Sequence, residues 1–599
     1  MRNAVVALTV FCCFTVPGFA AENPASTPVQ PTIPVSQIHA GMRGYALTVF
    51  QGTQPERMEV EALGVLKNMN GPKGDIILVR LHGEKAEYTG VVAGMSGSPV
   101  YFENKLAGAL AFRIGEFSKE PIAGVTPIAD MLEINAFDKS PAPGPSAASA
   151  GPAAAATRTA GPGTGSDPAV QGFANYLKPI EAPLVFTGFS EEAVKRFAPQ
   201  FAASGIIPVM GAGASSDQKQ PEPLEAGSAV SAVLVRGDMD IAATCTVTYI
   251  DPQRLLACGH PLLQFGKVDL PMTKATVLAT LPSPLNAFKI VNTTEAAGAF
   301  VQDRHTGIMG LLNKEPDMIP VTLSIHSGAA TKEIHYEVLN NPRLSPVAMM
   351  ATVFNALHGI NDYGEETTYR LKGEISVKGY PEVRLQNVFA PTDAGQPAAF
   401  LAALSLGDRF GRIYDNPFDV PSVQGVKLDF DLVKERRQAR LESARTDLTE
   451  ARPGDEITVE TVLAPYRGER VVKQIRIKIP TSASKGPLRI LVSDGDTLDR
   501  MRRGMPMMTR KLDLASTIAL LNKEHSNNRV YVSLLEADPE AMVADKVMPA
   551  LPFSVMNVMD GMRGTQEMVV LGESSVNEVA TPPLDFAVAG AQILTITIK

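Results

Sequence analysis

Short runs in which apolar and polar residues alternate recur along this chain, with turn residues between them. Residues 58–63 and 453–463 alternate with a period of two, which is typical of half-buried strands. Residues 75–81 and 319–325 are mostly apolar and also favour strands. Helical patterns are few, and we predict them at 128–132, 346–357, 398–404 and 514–523, the last with Asp513 as its N-cap. The pattern predicts a mainly β fold.

A stretch composed almost wholly of Ala, Pro, Gly, Ser and Thr, residues 139–168, divides the chain. Such a stretch cannot bury enough apolar surface to offset its ordering entropy, so we expect a flexible linker. With 599 residues the chain is too long for one core. We predict a disordered lead-in at 21–37, folded segments at 38–138 and 169–330, an α+β extension at 331–425 and a β-rich, sandwich-like accessory domain at 426–599.

The first twenty residues have the pattern of a secretory signal. Arg2 precedes an apolar run over 4–16, and small residues at Ala20 and Ala21 suit cleavage. The alternative is a membrane anchor, but the run is shorter than a comfortable span of about 20 residues, so we favour cleavage. We therefore expect an exported protein, periplasmic or extracellular, with no transmembrane segment in the mature chain.

Charge and cysteine content narrow the picture further. The formal net charge is −8 and the chain has no Lys/Arg stripe, so we do not expect a nucleic-acid partner. Cleavage of the signal would leave Cys245 and Cys258, which flank a predicted hairpin turning near Asp251. Two interpretations stay open: a cross-strand disulfide in an oxidising compartment, or two small buried thiols. We predict no metal site and no cofactor.

The candidate chemistry lies in residues 94–99, with the sequence Gly-Met-Ser-Gly-Ser-Pro. Such a segment is either a plain turn between two strands or the loop of a serine nucleophile. A nucleophile needs a tight turn that presents its hydroxyl and backbone N–H groups that stabilise an oxyanion. Glycines at 94 and 97 permit such a turn, and the N–H groups of Gly94 and Ser96 are the candidate oxyanion donors. The segment is not a G-x-S-x-G elbow, because position 98 is Ser.

Among the eight histidines, His260 has the most distinctive context. It follows a predicted strand and stands between Gly259 and Pro261, where a barrel rim would place it. A structural histidine is the alternative.

These segments resemble the SpoIVB-type serine peptidase family. The resemblance is carried by residues 89–99, by Ala-Gly-Val-Thr-Pro-Ile-Ala-Asp-Met-Leu at 123–132, and by Thr-Val-Thr-Tyr-Ile-Asp at 246–251 leading to Gly259-His260. It implies a chymotrypsin-like double β-barrel with a nucleophile half at 38–138 and a histidine half at 169–330. It further implies Ser96 as nucleophile, His260 as general base, and a protein or peptide as substrate.

Two features depart from that family. The family's histidine segment precedes its serine segment, whereas Ser96 precedes His260 here, so a circular permutation is implied. The acid is not identified; the conceivable partners of His260 are Asp75, Asp251, Asp269 and Asp303. A Ser–His dyad, a non-catalytic envelope scaffold that keeps the fold, and an esterase using the same serine are therefore alternatives.

Overall fold

The structure, a computed structural model, describes residues 30–114, 120–135, 138, 177–202, 206–211, 219–263, 266–283, 287–360, 364, 366–416, 418, 420–507, 512–543, 546–548, 552–559 and 568–599. The predicted signal segment and the predicted linker at 139–168 lie outside these residues. Strands hold 50% and helices 17% of the described residues, so the prediction of a mainly β fold is confirmed.

A closed barrel of six antiparallel strands forms the first part of the fold. Its strands are β1 (Arg43–Thr48), β2 (Glu56–Leu66), β3 (Ile76–His82), β4 (Pro99–Phe102), β5 (Lys105–Ile114) and β6 (Ile122–Pro127). They pair in the order β4-β1-β2-β3-β6-β5, and pairing of β4 with β5 closes the barrel. Helix α1 (Glu84–Thr89) follows β3, and α2 (Ile128–Leu132) follows β6.

The alternation predicted at 58–63 places one set of β2 side chains in this barrel. Met58, Val60 and Ala62 are buried in its core, while the residues between them are more exposed. Residues 30–37, which fall within the predicted disordered lead-in, are ordered in the structure. Ile33 is buried in the same core, and its N–H donates to the Leu106 carbonyl.

A larger sheet of thirteen strands follows. After β7 (Leu177–Pro179), which pairs with β5, come its first nine strands: β8 (Ala182–Thr187), β9 (Ile206–Met210), β10 (Ala229–Gly237), β11 (Asp240–Ile250), β12 (Arg254–Ala257), β13 (Gly266–Leu281), β14 (Phe288–Arg304), β15 (Gly307–Leu312) and β16 (Met318–Ser327). The remaining four are β17 (Ala330–Leu339), β18 (Thr368–Val377), β19 (Val383–Phe389) and β20 (Val423–Val433).

Part of this sheet also closes on itself. Strands β10-β13-β14-β15-β12-β11 are antiparallel neighbours in that order, and β10 pairs with β11. Two closed circuits of six antiparallel strands therefore lie in the chain, one on each side of the predicted linker. Three helices pack on the large sheet: α3 (Glu191–Ala202), α4 (Ser345–Gly359) and α5 (Ala398–Tyr414).

The C-terminal part holds two further sheets that share one core. Its elements are β21 (Gln438–Thr446), β22 (Glu450–Ala451), β23 (Glu456–Pro465), β24 (Val471–Lys478), β25 (Gly486–Ser493), α6 (Gly495–Met507), α7 (Leu514–Leu521), β26 (Tyr531–Val543), β27 (Lys546–Met548), α8 (Phe553–Val558), β28 (Met568–Ala580), β29 (Ala587–Ala589) and β30 (Ala591–Ile598). The strand orders are β24-β23-β21-β29 and β22-β30-β25-β26-β27, with β28 on β26. Among the described residues, none of the helices combines the length and the apolar character that crossing a bilayer requires.

Candidate functional site

Ser96 lies in the loop that leads from α1 into β4, and the two glycines around it are conformationally required. Gly94 and Gly97 have φ of +93° and +94°, a region that side chains disfavour. A Cβ on Gly97 would come within 2.0 Å of the Thr246 carbonyl oxygen and 2.5 Å of the Cys258 nitrogen. Gly97 therefore lets the loop pack directly on the hairpin that leads to His260.

Hydrogen bonds from β11 hold the same loop in place. The Thr246 N–H donates to the Ser96 carbonyl at 2.8 Å, and the Thr246 hydroxyl donates to the Gly94 carbonyl at 3.0 Å. The Thr248 hydroxyl donates to the Gly97 carbonyl at 2.7 Å. Two threonines of the second circuit thus fix three carbonyl groups of the serine loop, and the sequence analysis did not identify either threonine as part of the site.

A disulfide links the middle of β11 to the residue just after β12. Cys245 and Cys258 are bonded, with their Cα atoms 5.3 Å apart, and both are buried. The next residue, Gly259, lies against the first barrel, because a Cβ there would come within 2.9 Å of the Ala109 Cβ. The Thr126 hydroxyl also donates to the Gly259 carbonyl at 2.6 Å. The segment carrying His260 is therefore fixed from both circuits.

His260 is buried, and its two ring nitrogens differ. Nδ1 lies 2.8 Å from the Pro261 carbonyl oxygen, which can only accept, so the proton sits on Nδ1. Nε2 is buried and has no hydrogen-bond partner among the described residues. Burial lowers the pKa of His260, and the backbone of Pro261 and of Ile180 opposes this effect. Burial therefore favours the neutral imidazole, the form that a general base requires.

Ser96 is completely buried, and its Oγ has no hydrogen-bond partner among the described residues. The hydroxyl therefore makes no hydrogen bond to His260 Nε2 in this structure. Ser98 Oγ is in the same situation. A pocket of about 440 Å³ opens on the large sheet, with Arg236, Asp240 and Thr273 in its lining, but neither Ser96 nor His260 lines it.

One of the two candidate oxyanion donors is engaged. The Gly94 N–H donates to the Glu181 carbonyl oxygen at 3.1 Å. Glu181 lies between β7 and β8, in a part of the chain that the sequence analysis did not connect with the site.

The four candidate acids lie in different settings. Asp303 is buried, and its two carboxylate oxygens accept from the N–H groups of Leu262 and Leu263 at 2.8 and 2.6 Å. It thus fixes the backbone just after His260 while Nδ1 of the ring bonds to Pro261. The other three carboxylates form ion pairs with basic side chains: Asp75 with Lys67, Asp251 with Arg254, and Asp269 with Lys314.

A lysine that the sequence analysis missed lies beneath the serine loop. Lys289, on β14, is fully buried, and burial lowers its pKa to about 7. Its stem lies 3.3 Å from the position that a Cβ on Gly94 would take, and its Nζ is 2.7 Å from the Thr48 hydroxyl. A lone lysine within a β run carries no sequence signal for such a position.

Ser96 and His260, separated by 164 positions, thus lie on segments whose backbones contact each other, since Gly97 packs against Thr246 and Cys258. Comparison with protein-family models, curated proteins and solved structures finds no match. The chemistry proposed below therefore depends on the residues and their geometry.

Proposed function

We propose that this protein is an exported serine endopeptidase in which Ser96 is the nucleophile and His260 is the general base. The observation that supports it most directly is the contact between the Ser96 loop and the disulfide-closed hairpin leading to His260. A serine and a histidine from distant parts of a chain have to meet in this way for nucleophilic catalysis.

The fold proposed for this activity is a permuted chymotrypsin-like double β-barrel. The two closed circuits of six antiparallel strands are the supporting observation, since Ser96 borders the first and His260 the second. A nucleophile and a base contributed by different barrels meet at the interface between them. Chain order does not matter for such a site, because a triad is defined by its geometry.

The proposed reaction is acyl transfer. Ser96 Oγ attacks the carbonyl carbon of a peptide bond while His260 Nε2 takes the hydroxyl proton. The N–H groups of Gly94 and Ser96 stabilise the oxyanion, and the amine leaves with the proton returned from Nε2. Water then hydrolyses the acyl-enzyme with His260 again acting as base. The Pro261 carbonyl orients the ring in place of a carboxylate, so we expect a slower enzyme than one with a complete triad.

The cysteine pair supports export. A disulfide between Cys245 and Cys258 is favoured in an oxidising compartment, and the first twenty residues have the pattern of a secretory signal.

A non-catalytic envelope scaffold that keeps the peptidase fold is the second candidate. The observation in its favour is that Ser96 and His260 are both buried and not hydrogen-bonded to each other. In that case the loop and the hairpin only hold the two circuits together.

A fluorophosphonate probe distinguishes these candidates. The purified exported chain should be labelled covalently, and Ser96→Ala and His260→Ala should abolish the label. Ser98→Ala is the matched control, because this serine is equally buried and lies two residues away; it should label like the parent. Label that survives Ser96→Ala, or absence of Ser96-dependent label both from the folded parent and from folded variants that open the site, would contradict the peptidase proposal.

A further inference from the structure

Residues 177–182, here called the crossing segment, contact the loop that carries Ser96. The segment begins as β7, which pairs with β5 of the first barrel, and ends at Ala182, where β8 enters the large sheet. It passes between the two circuits at the level of the Ser96 loop.

The crossing segment supplies a carbonyl group to a predicted oxyanion donor. The Glu181 carbonyl oxygen accepts from the Gly94 N–H at 3.1 Å. A substrate's scissile carbonyl has to occupy this same donor during acyl transfer. Glu181 and a substrate therefore compete for one N–H group.

The same segment also lies against the proposed base. The backbone of Ile180 is close enough to the His260 ring to act on it, and the Ile180 side chain is completely buried in the core of the first barrel. The Ile180 N–H donates to the Ala111 carbonyl at 2.8 Å. Ser96 and His260 are both buried, so a substrate cannot reach them without a rearrangement.

An ion pair and a buried side chain anchor the crossing segment to the first barrel. The Glu181 carboxylate bonds to the Arg113 guanidinium, and both side chains are largely shielded from solvent, at 20% and 14% exposed. Next to it, Ile180 has no exposed surface. Shielding strengthens the pair relative to a surface ion pair, and the isoleucine adds apolar burial.

We propose that the crossing segment is an internal inhibitor that keeps the Ser96 site closed by occupying the place of a substrate backbone. This inference rests on the proposed peptidase function. It explains why Ser96 Oγ and His260 Nε2 are both buried with no hydrogen-bond partner in the part of the chain that the structure describes: the site is held in a resting arrangement. Displacement of residues 180 and 181 frees the Gly94 N–H and opens a path to Ser96.

The test is the rate of fluorophosphonate labelling in variants that loosen the segment. Ile180→Ala removes its buried anchor, and we expect labelling at least tenfold faster than in the parent. Arg113→Gln removes the ion pair, and we expect a smaller, severalfold acceleration. Both accelerations must disappear when Ser96→Ala is added. Amide exchange of Gly94, followed independently of labelling, should also become faster in Ile180→Ala.

Matched controls separate release of the segment from general loosening of the barrel. Ile77→Ala truncates an isoleucine that is equally buried in the same core but lies on β3, away from the segment. Arg80→Gln removes an ion pair with Glu120 on the same barrel. Neither control should accelerate labelling.

The outcomes separate the two proposals. If the parent is labelled at Ser96 as fast as Ile180→Ala, the peptidase proposal stands and the internal inhibitor is refuted. Equal acceleration by Ile77→Ala also refutes the inhibitor. If the parent and both loosened variants are folded and none shows Ser96-dependent labelling, the peptidase proposal fails, and the inhibitor fails with it.

Discussion

Two histidines of this protein are shielded from solvent in opposite electrostatic settings. His260 lies in the candidate site with a backbone carbonyl on Nδ1 and no hydrogen bond on Nε2. His525, in the C-terminal part, has Asp499 Oδ1 at 2.5 Å from Nδ1 and Glu578 Oε1 at 2.8 Å from Nε2. Burial alone would lower the pKa of His525, but the two carboxylates outweigh it and raise the pKa to about 9.

The difference shows that contact with a carboxylate does not by itself make a histidine a base. Both nitrogens of His525 donate to carboxylates, so the ring is an imidazolium with no lone pair to accept a proton. His260 lacks a carboxylate but keeps an open Nε2. His525 joins α6, through Asp499, to β28, through Glu578, and this is a structural role.

The largest expected effect comes from breaking the His525 cluster. His525→Ala leaves two shielded carboxylates without their common cation, which should destabilise the C-terminal part by about 3–5 kcal/mol. His260→Ala removes a neutral ring and one hydrogen bond, so we expect a loss of about 1–3 kcal/mol there. Amide exchange of β26 and of β12, measured in urea, reports the two regions separately. Equal losses in both regions would contradict the assigned charge states.

The pH dependence should have opposite signs in the two regions. The folded-state pKa of His525 is raised to about 9 from 6.5, so its stabilisation is complete below pH 6.5 and is lost as pH rises through 9. A difference of this size corresponds to about 3 kcal/mol. The folded-state pKa of His260 is lowered instead, so its contribution is present above pH 6.5 and declines as pH falls.

The measurement is protection of β26 amides between pH 6 and pH 10, after correction for intrinsic exchange. His525→Gln, which cannot carry the charge, should remove the decline in β26. A decline that persists in this variant would mean that another group titrates there.

Local pattern predicted several elements of this fold. The helix over Ile128–Leu132, the Asp513 N-cap and the strand containing 58–63 are confirmed, because each depends on neighbouring residues. Closure of the two circuits could not be predicted. It needs pairings between neighbouring strands, such as β10 with β11, and between distant ones, such as β4 with β1, and the alternation of residues does not specify which strands pair.

In the candidate site, too, local features could be predicted from the sequence and long-range contacts could not. The glycines at 94 and 97 stood out in the sequence because turns require them, and the structure gives both a positive φ. The Glu181 carbonyl and the Thr246 hydroxyl did not stand out, because a backbone or threonine hydrogen bond across 87 or 152 positions leaves no pattern in either segment. Helix α3 was also missed, although its apolar residues pack on the large sheet.

Lys289 extends the comparison to a third buried titratable group, one with no carboxylate in hydrogen-bonding contact among the described residues. Lys289→Met keeps the stem against Gly94 but removes an amine whose charged form burial disfavours. We expect the free energy of unfolding to rise by about 1–3 kcal/mol at pH 6, and loss of the Thr48 hydrogen bond reduces this gain. Since burial lowers the folded-state pKa of Lys289 to about 7 from its ordinary 10.5, stability of the parent should rise with pH across that window, so the advantage of the variant should shrink. Thermal unfolding of parent and variant at pH 6 and pH 10 tests this. Lys195→Met, at an exposed helix position, is the control, and we expect it to change stability by less than about 0.5 kcal/mol. A variant less stable than the parent at pH 6, or an advantage independent of pH, would mean that Lys289 keeps its charge beneath the Ser96 loop and is stabilised there by a group other than Thr48.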